Sequence, residues 1–164
     1  VAERGGKMSI LIQQYNLVRS SRAVMLGFIE NEVGSDIHKP LSEFNDKNLF
    51  FLLVHTANTY KHWLANFALG SLLPFADDKL INELSAVRLL YEEADILTRD
   101  FLDHFNNNMD AQITGVTRQG KTVTATPLEL FTHAITHEFH HKGQLMSMCR
   151  LLGHTPPDTD VIRF

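Results

Sequence analysis

The sequence predicts an all-α protein, a four-helix bundle with a short β-hairpin before the last helix. Three observations predict it. Apolar residues recur at helical spacing through four long segments between Ser9 and Leu152. Glycine, asparagine or proline stands where those patterns stop. Between the third and fourth segments the period shortens to a Thr- and Val-rich run with a turn signal at Gln119-Gly120. Helices of roughly 24 to 30 residues with one long connection pack most simply as a bundle.

The first helix is expected from Ser9 to Glu32, with Leu11, Tyr15, Val18, Met25 and Ile29 on one face and Gly34 just past its end. Arg22 falls inside that stripe. It reads either as a side chain snorkelling to water or as a buried cation facing an anionic ligand. The second helix is expected from Asp46, as N-cap, to Leu69, closed by Gly70. The third is expected from Asp77 to Asn106, on a stripe from Leu80 through Val87, Tyr91 and Thr98 to Phe105. The stretch from Asp110 to Thr126 then reads as two short strands. The fourth helix starts sharply: Thr126 as N-cap, Pro127 at the first position and Glu129 completing a capping box. It should reach Leu152, with Gly153 as its stop. Beyond it, "HTPPDTDVIRF" is expected to pack across the bundle end through Val161, Ile162 and Phe164.

With 164 residues the chain is about one domain long. No repeat or interdomain linker divides residues 8–164, and residues 1–7, VAERGGK, read as an expression remnant or disordered tail. Net charge is −4 with no run of Lys or Arg, so the basic stripe of a nucleic-acid binder is missing. The longest fully apolar run, Leu49 to Val54, is far too short to span a membrane. The single cysteine, Cys149, fits a reducing cytoplasm and reads as a small apolar filler.

"HAITHEFHHKGQ", His133 to Gln144, carries the candidate chemistry. His137 and His141 are one turn apart on a helix, about 40° around its axis, so both imidazoles can reach one ion. Leu130, Gln144 and Met148 share that side, which reads as core-facing, while Glu138, Lys142 and Arg150 read as solvated. Buried imidazoles need a partner for each ring nitrogen. A metal is one answer, since imidazole suits zinc, nickel and iron, and hydrogen bonds to neighbouring helices are the other. A third ligand could come from the second helix, where His55 and His62 lie on nearly one face, about 10 Å apart along the axis. Spacing alone does not choose between them. His133 reads as packed or supporting. His140 reads as exposed, and His38, His104 and His154 as solvated in connections.

His137, Glu138 and His141 also spell H-E-x-x-H, the zinc-protease helix. The extended form of that motif needs Gly at 144 and His at 147, where Gln and Ser stand, and no Glu follows Glu138. A peptidase is therefore not expected.

Three stretches together resemble the DinB/YfiT-like metalloenzyme family: "HEFHHKGQL", "LLVHTANTYKHWL" and "LLGHTPPDTDVIRF", in that order, the likeness running from about Met8 to Phe164. The resemblance implies an up-down-down-up bundle, commonly a homodimer. It also implies a divalent metal, zinc or nickel, held by His55, His137 and His141, which selects His55 over His62. Members with assigned activity include thiol-dependent transferases and isomerases that use a low-molecular-weight thiol. The chain departs from the common pattern at Lys142, where Arg is frequent, and at the added His140.

The leading expectation is thus a metal-dependent enzyme, a thiol-dependent transferase or related hydrolase or isomerase acting on a small molecule. Three neutral imidazoles would leave the ion its full charge and acidify a bound water or thiol. Asn58, Thr59 and Gln144 are candidate pocket residues, and Arg22 could neutralise a substrate carboxylate. The rival reading is a non-catalytic bundle whose metal is structural or which binds a small ligand; a structural zinc would need a fourth protein ligand.

Overall fold

The computed structural model describes residues 9–163; the expectations for residues 1–7 and for Phe164 lie outside them. Four helices, α1 (Ile10–Phe28), α2 (Leu49–Tyr60), α3 (Leu84–His104) and α4 (Pro127–Leu151), form the bundle. Strands β1 (Ile113–Val116) and β2 (Thr122–Ala125) pair antiparallel between α3 and α4, with Ile113 opposite Ala125 and Val116 opposite Thr122. Helix α2 packs against both α3 and α4, and α1 contacts α4 and α3 from the other side. No helix among the described residues is long and apolar enough to cross a membrane.

Local chemistry sets most boundaries. Ser9 caps α1 through a bond from Ile12 N at 3.3 Å, and Thr126 and Glu129 form the expected capping box on α4. A π-helical turn, Ile29–Val33, extends α1 as far as Gly34, whose φ is +56°. Another, Lys61–Phe67, extends α2 towards Gly70, at φ +68°. Two boundaries differ from expectation. Asp46 does not cap α2: it sits in the left-handed region, as does Asn45, and Asn48 accepts from Phe51 N instead. Residues 77–83 do not join α3, and Leu80 is exposed. The connection before α3 is strapped to α2 and its π extension by two asparagines. Asn58 exchanges two bonds with the backbone of Ala76, at 2.8 and 2.9 Å, and Asn66 does the same with Leu73, both at 2.9 Å. Those four bonds satisfy backbone groups that a helix would otherwise pair.

The interior is two apolar clusters with a polar layer between them. One cluster gathers Met25, Ile29, Leu53, Val87 and Leu145; the other Val18, Leu64, Phe101, Phe131 and Ala134. Burying each large side chain contributes roughly 1.5–3 kcal/mol. Arg22 is buried in the layer, so it neither snorkels nor awaits a ligand. It donates to Glu138 from Nε at 2.7 Å and Nη2 at 2.8 Å, and to Asp95 from Nη1 at 2.7 Å. Tyr15 donates to Asp95, and Tyr60 to Glu138. Each helix therefore supplies a member: Tyr15 and Arg22 from α1, Tyr60 from α2, Asp95 from α3 and Glu138 from α4. Burial would lower the guanidinium's pKa, but the Glu138 charge beside it holds it above its ordinary range. Burial also drives both phenols far up, so they stay protonated donors.

Glu138 and Lys142 are correspondingly not solvated; only Arg150 is. Lys142 donates to Ser21 Oγ at 2.8 Å and to the Thr159 carbonyl, which Ser21 also reaches. The C-terminal stretch is thus pinned by polar bonds at buried Thr159, whereas Val161 and Ile162 are exposed. Cys149 is fully buried as expected, and burial pushes its thiol up to about 11.

Candidate metal centre

Cα–Cβ bonds one turn apart on a helix point the same way, and on α4 they carry His137 and His141 to the side facing α2. His55 of α2 meets them there. Nε2 of His137 lies 3.0 Å from Nε2 of His141 and 3.1 Å from Nε2 of His55. One ligand nitrogen from each ring falls within 4.8 Å of the other two, and the three could hold a metal ion.

The protonation pattern fits a cation between the rings. Gln144 Oε1 lies 2.6 Å from Nδ1 of His141. That oxygen can only accept, so Nδ1 carries the proton and Nε2 turns a bare lone pair towards His137. His137 Nε2 has a single in-plane direction for a proton or a lone pair. It can complete a hydrogen bond with His141 or with His55, not with both. Neutral rings therefore leave one nitrogen pair facing without a proton between them, and a cation would satisfy all three lone pairs at once. Added protons are disfavoured. Burial, then the neighbouring His141, His55, His133 and His140 rings, bring His137 down to about 4. Burial also lowers His55 and His141.

His55 and His137 open on a cleft of about 530 Å³ between α2, α4 and the hairpin. His55 and His137 line one part of it, Trp63 and Phe75 another, and Arg118 and Lys121 of the hairpin turn a third. The π extension of α2 brings His62 and Trp63 to this wall. His62 packs against Trp63 at 4.7 Å and Phe75 at 5.9 Å between centroids, outside the three-ring cluster. The hairpin is seated closely: a Cβ on Gly115 would stand 2.8 Å from the Phe67 ring. A second hollow, about 710 Å³ between α1 and the Gly153–Pro157 turn, holds none of the three histidines.

The other site candidates divide. Gln144 touches His141 directly. His133 lines the cleft, exposed, with its ring 5.4 Å from His137 and 5.2 Å from Trp63. Thr59 lines it too, though its hydroxyl donates to the His55 carbonyl at 3.0 Å. Asn58 reaches the wall while its amide is spent on Ala76, so it places the Phe75 segment. Arg22 lies away from the cleft, in the buried layer. Glu138 turns with it: the carboxylate of H-E-x-x-H points into the core, not at the histidines.

Phe75, Arg118 and Lys121 were invisible to helical periodicity, because they lie in connections. Glu138 had a signal. It stands seven residues after Phe131 and seven before Leu145, both core residues, as Lys142 stands between Ile135 and Cys149. A charge inside that stripe, with Arg22 inside the α1 stripe, marks a buried pair.

The DinB family model matches residues 11–164, nearly the whole chain. Among curated proteins nothing matches.

Proposed function

We propose, because this chain belongs to the DinB family and brings three imidazoles to one point, that it is a metal-dependent enzyme acting on a small molecule. His55, His137 and His141 would hold the divalent ion, zinc or nickel as the family resemblance implies, both of which accept imidazole ligands. Such an ion, held by three neutral ligands, supplies Lewis acidity and lowers the pKa of a water or thiol bound to it. The reaction proposed is a thiol-dependent transfer, or a related hydrolysis or isomerisation, with a low-molecular-weight thiol as cosubstrate. The protein would work as a homodimer in the cytoplasm.

The observation that carries this reading is the convergence of three Nε2 atoms that neutral rings cannot fully pair. The chain's own residues then have defined tasks. Gln144 fixes the His141 tautomer and ring orientation. Trp63 and Phe75 shield one side of the cleft from water, and the Asn58 and Asn66 straps keep the Phe75 segment in place. Among the described residues no fourth His, Cys, Asp or Glu joins the cluster. That favours a centre with an open position over a structural one.

The test is metal analysis of the wild type and of His137→Ala, followed by a screen of thiols against electrophiles. The wild type should hold one equivalent and the variant far less, with turnover following metal content. Equal metal in the two proteins would overturn the assignment.

A further inference from the structure

The chain is acidic, with 19 Asp and Glu against 15 Lys and Arg, yet the cleft is not. Among its lining residues stand Arg118 and Lys121 and no carboxylate. Arg19, Arg22, Arg88, Lys39 and Lys61 pair with acids; Arg118 and Lys121, like Lys47, Lys79, Arg99, Lys142, Arg150 and Arg163, make no ion pair among the described residues, and of these eight only Arg118 and Lys121 line the cleft. The Arg118 guanidinium instead lies over the Phe75 ring, 4.6 Å from its centroid. No hydrogen bond from its N–H groups is made among the described residues, so they are free to donate.

The turn that carries both exposed cations is closed by backbone bonds. Thr117 N donates to the Lys121 carbonyl and Gly120 N to the Thr117 carbonyl, each at 2.9 Å, and Thr117 Oγ1 accepts from Lys121 N. Gly120, at φ +74°, closes the turn. Gly115 seats the hairpin against Phe67. Arg118 and Lys121 thus line the same hollow as His55, His137 and the apolar rings of Trp63 and Phe75.

Resting on the function proposed above and deepening it, the geometry points to an anionic substrate, its carboxylate or phosphate taken by Arg118 and Lys121 and its apolar body lying against Trp63 and Phe75. Charge-assisted bonds to a planar guanidinium are the stronger kind.

Trp63 is the only tryptophan of the chain, so intrinsic fluorescence reports on this cleft directly. Phenylacetate, phenyl phosphate and neutral phenylacetamide are titrated into wild type, both metal-loaded and stripped with chelator. An anionic probe should bind about tenfold tighter than the amide in both forms, the order expected of a charge-assisted contact, and salt should narrow the gap. The tighter of the two anions identifies the group recognised. Arg118→Gln with Lys121→Gln should remove the preference while leaving amide binding and metal content unchanged, and Arg118→Lys alone, which keeps the charge but loses the planar fork, should keep part of it. Equal binding of anion and amide, no binding of either anion, a preference that needs metal, or a preference that survives the double substitution overturns the inference. The two proposals fail separately. Wild type without metal but with the anion preference loses the metal enzyme and keeps this subsite; metal binding without the preference does the reverse.

Discussion

The Arg22 guanidinium and the Glu138 carboxylate meet edge to edge in the middle of the bundle, Nε to Oε1 at 2.7 Å and Nη2 to Oε2 at 2.8 Å, one residue along α4 from His137. Two neighbours in the chain thus serve different faces of one helix, about 100° apart: His137 the cleft, Glu138 the core. Removing one member strands a buried charge, which costs about 3–5 kcal/mol. Glu138→Leu should therefore lose about that much stability by urea titration, and Arg22→Met with Glu138→Leu should regain part of it. A loss under about 1 kcal/mol would mean the pair is not buried as described. Metal content of the folded variants should not change, because neither side chain reaches the cluster.

Gln144 has the opposite profile. It touches His141 and little depends on it for packing, since its site is half-exposed. Gln144→Leu frees the His141 ring to turn or to change tautomer. Metal affinity should fall about ten- to a hundredfold in chelator competition, as for other residues that orient a ligand. Gln144→Glu, a stronger acceptor at the same reach, should restore it. Unchanged affinity in the leucine variant would remove Gln144 from the site.

Asp95 gives a pH signature. Burial would raise its pKa, but the Arg22 charge and the bonds from Arg22, Tyr15 and Arg19 outweigh burial and hold it below the ordinary 3.8. A carboxyl with a depressed folded value binds fewer protons than its unfolded counterpart. Its contribution is present in full above the unfolded value and is lost as pH falls through the folded one. Asp95→Asn should be less stable than wild type at neutral pH, and the gap in melting temperature should close only below pH 3.8. A gap that closes at a higher pH would place the titration elsewhere.

Gly115 tests how the hairpin is held. The Cβ of an alanine there would press on the Phe67 ring at 2.8 Å, so ring or strand must move. Gly115→Ala should cost about 1–3 kcal/mol, as overpacking does. It should also weaken phenylacetate and phenyl phosphate binding, because the turn that carries Arg118 and Lys121 moves with β1. Metal content should be unaffected. Wild-type probe binding in this variant would show that the hairpin's seat does not set the cleft.

How much of this was readable beforehand differs from element to element. The start of helix α4 was legible to the residue, because Thr126 and Glu129 act on backbone groups three positions away. The start of α3 was not. The apolar stripe continued back to Leu80, but Asn58 and Asn66 capture the preceding chain by bonds to residues seven to eighteen positions away. The pair His137 and His141 followed from helical spacing alone, whereas the choice of His55 over His62 came from family likeness, since both lie on nearly the same face of one helix.

The sequence by itself determined the helices, the hairpin, the stops at Gly34, Gly70 and Gly153, and the one-turn spacing of two imidazoles, because all of these depend on groups a few residues apart. Tertiary structure decided what each polar residue faces. Arg22, Glu138 and Lys142 went inward and Arg118 and Lys121 stayed unpaired on a cleft, because a charge is buried or exposed according to which partners from other helices arrive beside it, and no local spacing encodes that.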